Sequence, residues 1–94
     1  SPVEACVKVD DTVPGVEEGL NAGMWTVGLA ISGNEVGLTL AEWNALPKAE
    51  QEAKRAYAYR RMQTAGAHYT VDTIADLMPC LDDIEARLAK GEKP

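Results

Sequence analysis

Apolar positions recur along the chain with several different spacings, and each spacing predicts a different element. Ala5–Val9, ACVKV, reads as a short buried strand with Lys8 as its one discordant residue and Asp10-Asp11 at its end. Val16, Gly19 and Leu20 then share one face at i, i+3 and i+4, which predicts a helix. Thr12 or Val13 caps it, and Pro14 falls in its first turn, where a missing N–H costs nothing. Glu17 and Glu18 lie early in this helix, as its dipole favours, and Gly23 stands where a left-handed residue closes it. Met24–Ile31, MWTVGLAI, is almost continuously apolar, as a strand covered on both faces is. Strand, short helix and strand in succession make a βαβ unit, whose strands run parallel through a right-handed crossover.

SGNEVGL, residues 32–38, is a glycine-punctuated loop. Thr39–Glu42, TLAE, is a capping box, with Leu38 and Trp43 placed as its hydrophobic staple. Pro47 opens a second helical stretch that ends near Ala65. Its apolar face, Ala49, Ala53, Ala56 and Tyr57, is weak, so it is expected to be largely exposed or to lie against a partner. Gly66 stops it, and AHYTVD follows as a third, edge-like strand. Ile74, Leu77, Leu81, Ile84 and Leu88 form a helical stripe, with Pro79 restarting the helix and Gly91 ending it. The order β-α-β-α-α-β-α predicts an α/β layer fold of parallel strands with flanking helices, one domain at most over 94 residues.

Charge narrows the choice of partners. A net charge of −6 argues against a nucleic-acid surface, and the basic residues of KRAYAYRR, residues 54–61, read as a solvated helix face among acidic neighbours. No run approaches the ~20 apolar residues of a membrane helix. Glu4 and Lys8 interrupt any signal-peptide core. Cys6 and Cys80 lie in apolar contexts without metal-ligand spacing, so they read as buried free thiols of a cytoplasmic protein.

The candidate chemistry sits at Asp10 and Asp11. Ligands of open parallel sheets bind beyond the carboxyl ends of strands, where this pair falls. Adjacent carboxylates there can share a hard cation such as Mg²⁺, which would clamp a phosphoryl group against the helix N-terminus. The same residues also suit an ordinary capping turn, and spacing alone leaves both readings open. Thr12 suits either a phosphate contact or a cap. His68, alone at a strand start with no dyad partner, reads as structural. Trp25 and Trp43 read as core and staple residues.

VKVDDTVPGVEEGLNAGMWTVGLAISGNEVGLT, continued by AGAHYTVDTIADL, resembles the C-terminal part of the phosphonatase (phosphonoacetaldehyde hydrolase) family of the haloacid dehalogenase superfamily. DDT alone points only to the superfamily. Its combination with EEGLNAGMWTVG and GNEVGLT points to the family. The resemblance implies a Rossmann-like core and Mg²⁺-dependent cleavage of the C–P bond of phosphonoacetaldehyde, giving acetaldehyde and phosphate. It implies an aspartate nucleophile, a cap-domain lysine that forms a Schiff base with the aldehyde, and a homodimeric parent. Asp11 matches the family's metal-binding aspartate. Asp10 falls where many relatives carry glycine, and the second acidic residue that some carry four positions after the metal ligand is here Gly15. Asp10 is therefore the alternative source of a second carboxylate.

The nucleophile, the cap lysine and the phosphate-binding motifs all precede Ser1 in the family pattern. Residues 1–94 are thus expected to be a C-terminal segment of the core, lacking the cap and N-terminal core, with no catalytic residue and no activity of its own. Its sheet is expected to present an open edge, so the isolated chain should self-associate. The rivals are another haloacid dehalogenase-type phosphatase segment, a receiver-like domain, or an interaction module in which the aspartates only cap. A receiver needs an aspartate ending a middle strand, where MWTVGLAIS ends in serine.

Overall fold

The computed structural model describes residues 2–31 and 37–94. Among these residues, three parallel strands form one sheet in the order β1-β2-β3: β1 (Val7–Asp10), β2 (Trp25–Leu29) and β3 (Tyr69–Val71). Val7 pairs with Trp25 and Asp10 with Gly28, while Val27 pairs with Tyr69. Among the described residues, four α-helices flank the sheet: α1 (Val13–Asn21), α2 (Leu40–Ala45), α3 (Lys48–Ala65) and α4 (Leu77–Ala89). The architecture is the expected mixed α/β fold. Most of the glycine-punctuated loop lies outside the described residues.

The sidedness of the sheet follows from strand alternation. Trp25 and Val27 point to one face, where they bury Cys80 and Ile84 of α4 among Val7, Val9, Tyr69, Val71, Leu77 and Leu88. Thr26 and Gly28 point to the other, towards Gly19 of α1 and Met62 of α3. Trp25 to Gly28 are all buried, as the continuous apolar run of β2 demands. A second cluster, Ala30, Ile31, Trp43 and Ala58, closes the carboxyl end of β2 beneath α2 and α3, with Leu38 packed on it as the staple requires. The box itself forms: Thr39 N–H donates to Glu42 Oε1 at 2.9 Å, and Glu42 N–H to Thr39 Oγ1 at 3.1 Å. Gly23 and Gly66 adopt φ of 82° and 99°, the left-handed turns expected after α1 and α3.

Three expectations shift. The first strand begins at Val7 rather than Ala5, because Val3–Ala5 form a 3₁₀ turn with Ala5 exposed. In α3, Ala49, Ala53, Ala56 and Tyr57 are exposed, as expected of so weak a face, but the helix also has an inward side that was not expected, with Ala58 and Met62 buried. The inward stripe continues towards the N-terminus through polar Gln51 and Arg55, which bind the Trp43 carbonyl and Asp72, so no apolar periodicity marks it. Ile74 is 61% exposed and belongs to a 3₁₀ turn, Ile74–Asp76, and not to the α4 stripe. Thr73 caps that turn, with Asp76 reaching back to its N–H at 3.1 Å, and Pro79 falls in the first turn of α4.

Candidate metal-facing turn

β1 delivers Asp10 to the carboxyl end of the sheet, and Asp11 and Thr12 carry the chain into α1. Thr12 is the N-cap: its hydroxyl oxygen accepts from Gly15 N–H at 3.0 Å. The same hydroxyl donates to Asp10 Oδ1 at 2.7 Å, and Thr12 N–H donates to that oxygen at 2.8 Å. Thr12 thus has one proton and spends it on Asp10, which leaves capping and the aspartate turn as its observed roles. Asp10 Oδ2 lies 3.7 Å from Lys8 Nζ, which also reaches Glu18 Oε1 at 3.3 Å. Burial raises the Asp10 pKa, but the Thr12 hydrogen bonds and the Lys8 ammonium outweigh it, and the net shift is downward.

Lys8, discordant in the sequence, is explained by this arrangement. Its stem lies against Gly19 while its ammonium bridges β1 and α1. Asp11 differs from its neighbour. It is half-buried, and among the described residues its carboxylate makes no hydrogen bond or ion pair. An uncommitted carboxylate beyond a strand end suits a hard cation in donor type. No group of three or more His, Cys, Asp or Glu side chains suited to a metal ion comes together among the described residues.

Two further clusters were not visible in the sequence. Asp72, just past β3, accepts from Tyr59 OH at 2.6 Å and pairs with Arg55 at 3.3 Å. Burial and this bond to Asp72 push the Tyr59 pKa well up. Arg55 also lies 5.7 Å from the centroid of the Trp43 ring. At the opposite end of the sheet, Arg87 stacks 4.4 Å from the Trp25 ring centroid and donates to Tyr69 OH at 3.1 Å, while Tyr69 OH donates to Asp83. His68 lies beside them, its ring 5.1 Å from that of Trp25. Its Nδ1 accepts from Thr26 N–H at 3.0 Å in place of a strand carbonyl, the structural role expected of it. Both thiols are free. Cys80 is buried, which pushes its pKa up, whereas Cys6 is only half-buried. Arg60, Arg61 and Tyr57 line a cavity of about 620 Å³ between α1 and α3, opposite Glu17. No helix among the described residues is long and apolar enough to cross a membrane.

No protein-family model matches the chain. It is 56% identical over 92 residues to phosphonoacetaldehyde hydrolase of Aeromonas hydrophila subsp. hydrophila, covering 98% of this chain and 33% of that protein. Against phosphonoacetaldehyde hydrolase of Klebsiella pneumoniae subsp. pneumoniae it is 59% identical over 92 residues, 98% of this chain and 34% of that one. A solved phosphonoacetaldehyde hydrolase like protein from Oleispira antarctica superposes with a TM-score of 0.96 at 55% identity, over 100% of this chain and 34% of its own. The chain therefore spans about a third of the length of the relatives it matches. Over nearly all its residues, it is homologous to a segment of phosphonoacetaldehyde hydrolase.

Proposed function

We propose that residues 1–94 form part of the core of a Mg²⁺-dependent enzyme that hydrolyses the C–P bond of phosphonoacetaldehyde to acetaldehyde and phosphate. The observation that carries this reading is the uncommitted Asp11 carboxylate, set between the end of β1 and the N-terminus of α1 in a chain homologous to those hydrolases. Asp11 offers a hard oxygen donor, and Asp10 supports it. Bound there, Mg²⁺ neutralises charge on a phosphoryl group. The N–H groups opening α1 favour the same anion.

The aspartate nucleophile, the Schiff-base lysine and the cap lie outside these residues in this reading. Lys8 is held by Asp10 and Glu18, and Lys48, Lys54, Lys90 and Lys93 are exposed, so none is a buried amine suited to an iminium. β1 pairs with β2 alone among the described strands, which leaves an edge for the rest of the core. The parent is read as a cytoplasmic homodimer acting on a small phosphonate, with no nucleic-acid or membrane partner.

The test uses a polypeptide of the relatives' full length. Asp11→Asn should abolish Mg²⁺-dependent release of phosphate and acetaldehyde and leave stability within roughly 0.5 kcal/mol. Residues 1–94 alone should release neither product. Wild-type Mg²⁺ affinity in Asp11→Asn sinks the assignment.

A further inference from the structure

β1 presents Lys8 and Asp10 to α1, and α1 meets them with two buried glycines four residues apart, Gly15 and Gly19. The fit at Gly15 is the tighter one. A Cβ there would lie 2.0 Å from Asp10 Cγ and Oδ2, inside any van der Waals contact. The Asp10 carboxylate therefore occupies the space from which a residue-15 side chain would project. It is also fixed in place. Oδ1 takes both Thr12 donors at 2.8 and 2.7 Å, the Thr12 hydroxyl takes Gly15 N–H at 3.0 Å, and Oδ2 faces the Lys8 ammonium at 3.7 Å. Asp10, Thr12 and Gly15 thus close a ring at the turn that carries Asp11.

We propose that Asp10 is a positioning residue, a carboxylate pin that fills the vacancy at Gly15, holds the β1–α1 turn and so presents Asp11, without itself ligating a cation. This rests on the reading of Asp11 as the metal-facing carboxylate. Both lone pairs of Oδ1 are used by Thr12, and Oδ2 sits beside an ammonium that would repel a divalent ion. The pin and a side chain at position 15 exclude each other sterically, so the two positions form one device.

The test reads Mn²⁺ broadening of backbone amides by NMR, together with thermal melts, on a polypeptide of the relatives' full length. Broadening should centre on Asp11 and vanish in Asp11→Asn. Asp10→Asn keeps an acceptor for Thr12 and should keep the site. Asp10→Gly removes the pin and should weaken Mn²⁺ roughly 10–100-fold, as loss of a group that orients a ligand does. Gly15→Ala should do the same by displacing the carboxylate, and the double variant should be no worse than Asp10→Gly alone. Loss of Mn²⁺ in Asp10→Asn as complete as in Asp11→Asn would make Asp10 a ligand and overturn the proposal, as would a Gly15→Ala chain with unchanged metal binding and melting. If Asp11→Asn leaves the broadening intact, or the unmodified chain shows none at the turn, the metal reading is what fails. The pin is then judged by the melts alone. Gly15→Ala must destabilise the chain with Asp10 intact and not the Asp10→Gly background, and equal effects in both overturn it.

Discussion

At the amino ends of the strands, Trp25, His68, Tyr69 and Arg87 stack into a cluster whose members each hold another in place. At the carboxyl end of β1, the side chains are short and acidic, and one of them, Asp11, is without a partner among the described residues. The first end uses large surfaces buried against one another. The second uses hydrogen bonds to fix a backbone turn and leaves one charge open. The contrast separates the parts of the molecule that carry stability from the part available for chemistry, since a group already satisfied by its neighbours has nothing left to offer a ligand.

The contrast breaks most decisively at Trp25. Its side chain is fully buried, packs on Val27, Cys80 and Ile84, and lies under the Arg87 guanidinium. Trp25→Ala should cost about 3–5 kcal/mol, a large part of the margin of a domain this small, read from chemical denaturation. A change no larger than that of an exposed substitution would mean that the amino-end cluster is not the anchor of the fold.

A smaller loss is expected at the other end. Thr12→Ala removes the α1 N-cap and one of the two donors to Asp10 Oδ1, and should cost about 0.5–2 kcal/mol in the same denaturation experiment. Thr12→Ser keeps the hydroxyl and should restore most of it. Equal losses for Ala and Ser would place the effect in the threonine methyl group and not in the cap.

Legibility in the sequence follows the same division. β2, the Thr39–Glu42 box and the left-handed turns at Gly23 and Gly66 are local patterns, and the chain carries them in its own order. Asp10, Asp11 and the Thr12 cap were also readable, because turn chemistry is local. The inward face of α3 was not. Gln51 and Arg55 face inward by bonding to distant oxygens, so hydrophobic periodicity passes over them. Nor was the Arg87 stack legible, since it joins β2, β3 and α4 through contacts that no spacing encodes. Lys8 read as an anomaly until α1 supplied Gly19 and Glu18. Two glycines four apart on one helix face were the available signal for that close approach.

The smallest expected effect is pH dependence, and it distinguishes the two ends by where each titrates. His68 Nδ1 accepts the Thr26 N–H, so the neutral ring carries its proton on Nε2, and protonating Nδ1 breaks a link between β2 and β3. Burial, and then the Arg87 guanidinium, lower its pKa below the ordinary value of 6.5. The folded chain therefore resists a proton that the unfolded chain accepts. The stability this contributes is fully present above 6.5 and is lost as pH falls from there through the folded pKa. Asp10 is also shifted down, from an ordinary 3.8, so its contribution is present above that value and is lost only at lower pH, as its folded pKa is crossed. The two windows do not overlap at their upper edges. Melting temperature should decline as pH falls below about 6.5, towards the lowered folded pKa of His68, because of the amino end alone. Thr26 amide exchange should quicken in the same window. His68→Asn retains an acceptor that does not titrate, so it should flatten this first decline and leave the acidic one in place. If the first decline survives in His68→Asn, its origin is elsewhere, and the amino end is not the part of the molecule that senses mild acid.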